Sequence, residues 1–274
     1  MIAEPKRFVG LSAALVLSAG TAFAADPSYF APEPIVTPGW ILTVTGNAKV
    51  GPSYPGADDL GFVAFPSFSL RRPGEPKRFT TPDDGLSIPL YDTQTLRAGI
   101  TGRFRGGRYL QTDRRLFGFE DVRWAVEPGV FVEFWPVQFL RLRAELRHGI
   151  NGHDGFVADL AGDFVSRFDR FTWSIGPRLT LGDEEFTETY FGVRPFEAAI
   201  NGLVLPYSPS GGATSVGAST ALTYEWSEQW STTVSATYSH LVGDAADSPI
   251  VKRFGSEHQF GFGASLSYSF PVGW

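Results

Sequence analysis

The chain contains no cysteine and only one methionine in 274 residues. Without cysteine there is no disulfide scaffold, no thiolate metal site and no cysteine nucleophile. A chain that works in an oxidising compartment either pairs its cysteines or does without them. Long apolar runs are also missing after Ala25, where Arg, Asp, Gly or Pro interrupts every few positions. No later segment offers the roughly 20 apolar residues that a spanning helix needs. An excess of positive charge is absent too. The formal net charge is −6, and nucleic-acid binding favours a basic balance, so no nucleic-acid partner is expected. No His-rich or acidic run has a recognisable ligand spacing. Neither a metal nor another cofactor is expected.

What is present begins at the N-terminus. Lys6 and Arg7 precede an apolar, small-residue stretch from Phe8 to Gly20, and Ala22-Phe23-Ala24 follows. This order predicts a secretory signal peptide over 1–24, cleaved after Ala24. Residues 25–39 are rich in Pro and Ala and show no periodicity; they read as a flexible periplasmic leader. The remainder, 40–274, reads as one β-domain.

The C-terminal tail carries the plainest pattern. Phe260, Phe262, Ala264, Leu266, Tyr268, Phe270, Val272 and Trp274 alternate with Gly, Ser and Pro. Successive side chains of a strand point to opposite faces. One face is therefore apolar with aromatics at its ends, and the other is small and hydrophilic, as for a strand between lipid and a wet interior. Similar alternation recurs over 40–50, 61–71, 95–105, 122–134, 139–147, 156–168, 171–181, 213–226 and 230–241. Pro82-Asp83-Asp84-Gly85 is a turn signal inside 77–91, which reads as a short hairpin. The prediction is an all-β transmembrane antiparallel β-barrel of about 12 strands in the Gram-negative outer membrane. Tight turns fall at 92–94, 136–137, 169–170 and 227–229, and longer connections near 51–60, 106–120, 150–155, 183–212 and 242–257. Short turns on the periplasmic side and long loops outside are the rule for such barrels.

The predicted interior face holds Arg97, Arg103, Arg105, Arg141, Arg143, Arg147 and Arg178. Glu127, Glu133, Glu145, Asp159 and Asp163 share it. These could line a pore that selects anions or form a salt-bridged plug filling a narrow barrel; the mixed signs favour the plug. Trp40, Trp124, Trp135, Trp173, Trp226, Trp230 and Trp274 lie near strand ends, where aromatic girdles meet the membrane interface. The four histidines, His148, His153, His240 and His258, form no spaced Ser/His/acid signature, although Ser239-His240 precedes Asp244 and Asp247. They read as polar rim residues, and no catalytic residue is expected. Asp58-Asp59, Asp83-Asp84 and Asp183-Glu184-Glu185 read as solvated loop acids in preference to a cation bridge to lipopolysaccharide.

Four segments carry a family resemblance: Gly51-Pro52-Ser53-Tyr54-Pro55-Gly56-Ala57-Asp58, Phe65-Pro66-Ser67-Phe68, Glu188-Thr189-Tyr190-Phe191-Gly192-Val193, and Ala245-Ala246-Asp247-Ser248-Pro249-Ile250-Val251. In this order, with the N-terminal signal and the aromatic last strand, the chain resembles the MipA/OmpV family of outer-membrane proteins. The ending Pro271-Val272-Gly273-Trp274 departs from the commoner terminal Phe. The resemblance implies a barrel in contact with outer-membrane lipid and lipopolysaccharide. It implies a non-enzymatic scaffold or interaction protein, with murein-synthesis or murein-hydrolase proteins as partners, since one member is named for binding a lytic transglycosylase. Other members are described as adhesin-like or pore-like, so a narrow channel for small solutes is the second expectation. An outer-membrane lipid hydrolase is the third. The family supplies no shared catalytic residues.

Overall fold

The structure is a computed structural model that describes residues 39–111 and 113–273. The expected signal peptide, the leader up to residue 38 and Trp274 lie outside the described residues. No described helix is long and apolar enough to cross a membrane, which is no obstacle to a barrel.

Eleven strands form one antiparallel sheet. They are β1 (Trp40–Pro52), β2 (Leu60–Arg71), β3 (Leu86–Asp92), β4 (Leu96–Arg105), β5 (Ala125–Val137), β6 (Leu140–His148), β7 (Phe156–Phe168), β8 (Phe171–Gly182), β9 (Gly212–Glu225), β10 (Trp230–Leu241) and β11 (His258–Val272). The sheet order is β2-β1-β11-β10-β9-β8-β7-β6-β5-β4-β3. The amphipathic tail is the pivot of this arrangement. As β11 it pairs with β1 from Trp40↔Val272 to Val50↔Phe262, and with β10 on its other side. The first and last strands thus lie side by side in the wall.

Each strand shows two faces because each meets two environments. Exposed large apolar side chains occur on all eleven strands, for example Phe62, Ile88, Ile100, Val130, Leu146, Leu160, Ile175, Leu222, Val234 and Phe262. On a soluble protein such a belt would be a binding or aggregation surface. On a closed or nearly closed barrel it is the lipid-facing wall.

One strand is missing from the expected set. The 77–91 stretch contributes a single strand, β3, and the sheet has eleven strands where about twelve were expected. Pro73, Pro76 and Pro82 break the earlier part, because proline cannot donate to a ladder. Residues 72–85 instead form a strap that leaves the foot of β2, passes through the lumen and rejoins the wall at β3. Consequently β2 and β3 run in the same direction, and no backbone pairing joins them. They leave a seam in the wall.

The turns sort by length as the alternation predicts. At one end lie the short connections after β3, β5, β7 and β9. That after β5 falls beyond Val137, because a bulge between Phe134 and Val137 lengthens the strand. At the other end lie the five long connections, and they are not open loops. They carry the helices α1 (Glu184–Phe191), α2 (Pro195–Asn201), α3 (Gly243–Asp247) and α4 (Pro249–Phe254), and a single 3-10 turn at Arg114–Leu116. Together they form a cap with its own apolar core. Tyr54, Ala57, Leu116, Phe119, Val193, Ala198, Ile250 and Phe254 make one cluster. Val122, Val157, Phe186, Tyr190, Phe191, Leu241, Ala245 and Val251 make another.

Candidate functional site in the lumen

The interior is divided. Strands β4 to β8 turn charged side chains inward, whereas β9, β10, β11 and β1 turn in mainly Ser, Thr and Gly. Two hydroxyl pairs bridge the closing strands, Thr43–Ser269 and Thr45–Ser267, each at 2.8 Å.

On the charged side, the expected interior residues meet in one network. Toward the short-turn end, Glu133 accepts from Arg97 (3.2 Å), Arg141 (3.0 Å) and Arg143 (3.2 Å). Arg141 also reaches Asp163 at 2.8 Å, and Arg178 reaches the other oxygen of Asp163 at 2.7 Å. Toward the cap, Glu127 takes Arg105 and Arg147, and Asp159 takes Arg103 at 2.9 Å and Arg147. Arg143 donates to Glu145 at 2.9 Å and joins the two tiers. Arg141, Arg147, Glu127 and Glu133 are among the most deeply buried side chains of the protein. Charges removed from water this completely persist only when paired and hydrogen-bonded.

The network draws on residues that the alternation did not reveal. Seven arginines face five carboxylates among the expected interior residues, a net excess of two positive charges although each arginine touches a wall carboxylate. The strap supplies two balancing carboxylates. Asp83 binds Arg178 and accepts from Ser219 at 3.0 Å. Asp84 binds Arg141 at 2.7 Å and lies 3.7 Å from Arg143. Arg103 holds the Asp83 carbonyl at 2.7 Å, Lys49 holds the Pro82 carbonyl, and Gly85 N–H donates to Glu145 at 3.1 Å. The expectation that Asp83-Asp84 is a solvated loop pair is therefore corrected. The charge imbalance was the signal that could have found it.

Two other readings change. Trp135 is not part of an outward girdle. It shares the inward parity of Glu133, donates its indole N–H to Glu133 at 2.9 Å, and packs edge-on against Phe79 of the strap. Trp40, Trp124, Trp173, Trp226 and Trp230 are exposed near strand ends. His153 is not a rim residue. It is buried, lies 3.0 Å from Glu127, and is flanked by the rings of Phe186 and Tyr190. His240 and His258 lie side by side near the cap, with ring centres 4.9 Å apart, and Tyr238 Oη is 2.8 Å from His258 Nδ1. Among the described residues, no serine hydroxyl bonds a histidine ring, and no acidic or histidine cluster has the form of a metal site.

The cap covers the end that carries the long connections through three of the four segments that carry the family resemblance. Tyr54 and Ala57 come from the first, Tyr190, Phe191 and Val193 from the third, and Ala245, Ile250 and Val251 from the fourth. Ser248 caps α4 and donates to the Phe191 carbonyl at 2.7 Å. Gly56 has φ +92°, and a Cβ there would stand 2.7 Å from Val251 Cγ2; only glycine meets both demands. Asp183 caps α1 by accepting from Phe186 N–H at 3.0 Å. Arg115 bonds Asp58 at 2.6 Å and Asp113 at 2.9 Å, and this holds both carboxyl groups below their usual range, against the opposing effect of burial. Burial pushes the Tyr190 phenol up to about 12. Beneath the cap lies a cavity of about 340 Å³, walled by Arg103, Arg105, Thr180, Ser215, Thr237 and Ser239.

No curated relative matches the chain in sequence. Several solved barrels share its general form. The NanC porin is 10% identical with a TM-score of 0.38, over 83% of this chain and 98% of that one. An outer membrane channel from Pseudomonas putida F1 is 9% identical with a TM-score of 0.43, over 87% and 99%. The CymD monoaromatic hydrocarbon channel is 10% identical with a TM-score of 0.36, over 87% and 90%. The lipid-facing wall, closed at one end by a cap that draws on three of the resemblance segments, is that of a Gram-negative outer-membrane barrel. The model of the family described as MltA-interacting protein MipA matches residues 44–270, and the chain belongs to that family.

Proposed function

We propose that this barrel is a non-conducting outer-membrane scaffold that presents its periplasmic side to murein-processing proteins. The observation that carries this reading is the filled interior. The strap crosses the lumen, an ion-pair network on β4 to β8 clasps it from one side, and the cap covers the end that carries the long connections. A barrel filled in this way supplies a wall and a platform in place of a broad path. The family description, MltA-interacting protein, supports a murein hydrolase as partner. The leader at 25–39, after loss of a signal peptide over 1–24, and the short turns are the segments such a partner would meet. Lipid would cover the apolar belt, with lipopolysaccharide at the cap end.

Affinity capture from crosslinked envelopes tests the reading, and recovery of a lytic transglycosylase with the full-length barrel is expected. Recovery of no cell-wall enzyme removes the scaffold role. A second reading, a narrow solute channel, is favoured by the hydroxyl-lined side of the lumen and the cavity beneath the cap. Planar-bilayer recording separates the two. Steady conductance from the purified folded barrel supports the channel, and a silent barrel supports the scaffold.

A further inference from the structure

We infer that the Asp83-Asp84 turn occupies an anion site, as a tethered stand-in for a small dicarboxylate. This goes beyond the scaffold reading and does not depend on it.

The site is built by the wall, not by the strap. Arg178 on β8 and Ser219 on β9 converge on the Asp83 carboxylate. Arg141 and Arg143 on β6 converge on Asp84. Two carboxylate subsites thus receive consecutive residues of the strap, each with guanidinium donors whose forked geometry suits a carboxylate. Glu133, Glu145 and Asp163 also pair with these arginines, but over the interior face the wall's five acids do not balance its seven arginines. Removing the strap would leave positive charge facing a wet lumen, and Lys49 would lose its Pro82 carbonyl and add to it.

The strap is not part of the hydrogen-bonded wall, so its displacement leaves the strand ladders intact. Residues 72–85 form no strand. Near its start, Gly74 has φ +85°, between Pro73 and Pro76. Above that point it forms no ladder with the wall: Lys77–Glu225, Arg78–Asp92, Phe79 against Trp135 and Arg141, and the two aspartates clasp it by side chains, and Lys49, Arg103 and Glu145 hold its backbone at Pro82, Asp83 and Gly85. A second seat exists beside it. The strap runs from the foot of β2 up to the start of β3, opposite in direction to both seam strands. It therefore has the polarity to pair antiparallel with each of their free edges. A dicarboxylate from the periplasm would compete with Asp83 and Asp84 for the arginines and shift the strap outward by mass action.

The full-length barrel, folded in detergent, provides the test. The chain has no native cysteine, so Thr81→Cys places a unique thiol on the strap at a site that is 5% exposed. Its reaction with a water-soluble maleimide is expected to be slow. It should accelerate about tenfold with succinate at about ten times its dissociation constant, the mass-action factor for a ligand that binds only the displaced state. An unchanged rate, or a rise reproduced by sodium chloride at matched ionic strength, overturns the proposal. Calorimetry on Asp83→Asn/Asp84→Asn supplies the second reading. That variant should bind succinate without competition, and a folded variant that binds none also overturns the proposal. If it does not fold, the thiol measurement decides alone.

Discussion

At the scale of single residues, burial sets the consequences. Glu133 accepts from three guanidinium groups and one indole. Glu133→Gln would leave those arginines short of charge in a site closed to water. Breaking a buried pair by removing one partner costs about 3–5 kcal/mol, so the urea midpoint of the folded barrel should fall markedly. Lys252→Ala, by contrast, removes an exposed pair with Asp247. An exposed pair is worth about 0–1 kcal/mol, so its midpoint should hardly move. Gly56→Ala belongs with the first case. It forces a side chain onto Val251 from a backbone conformation that L-residues avoid. The cap should become sensitive to protease while the wall stays folded, and a cap as resistant as the native one would count against this packing account.

At the scale of elements, the seam between β2 and β3 is the weak line of the wall. Each seam strand pairs on one side only, and an unpaired backbone group in lipid costs several kcal/mol. Hydrogen exchange should therefore begin along β2 and β3 and reach β9 and β10, paired on both sides, last. Equal protection across the sheet would mean that the seam is closed. The strands themselves were legible in the sequence because period two records two different solvents, even where β8 changes phase. The strap was not legible, because its partners lie on β1, β4, β6, β8 and β9 and no local pattern encodes them. Trp135 was misread because nearness to a strand end was given more weight than its parity with Glu133. The four cap helices were missed because none exceeds eight residues, and such helices form through tertiary burial and caps more than through periodicity.

At the scale of the whole molecule, a β wall and a helical cap are joined at the outer rim, and they respond to pH through different groups. Arg115 lowers the pKa values of Asp58 and Asp113 in the folded cap. Groups so depressed add stability that is present above about pH 4, their unfolded range, and is lost as pH falls through their folded values. Tyr190 acts at the other end. Its folded pKa, about 12, lies above the ordinary value of 10.0. The folded cap thus favours the neutral phenol. Its contribution is complete below pH 10 and is lost as pH rises from there toward 12. The wall is held by backbone ladders that do not titrate in that interval. Raising pH from 10 to 12 should therefore loosen the cap first, seen as protease cleavage in the 183–211 connection while the far-ultraviolet β signal persists. Burial also raises the phenols of Tyr54 and Tyr207 in the same cap, so Tyr190→Phe removes one of three such groups and should shift that loosening part of the way to higher pH. If the variant loosens at the same pH as the native chain, another group controls the cap.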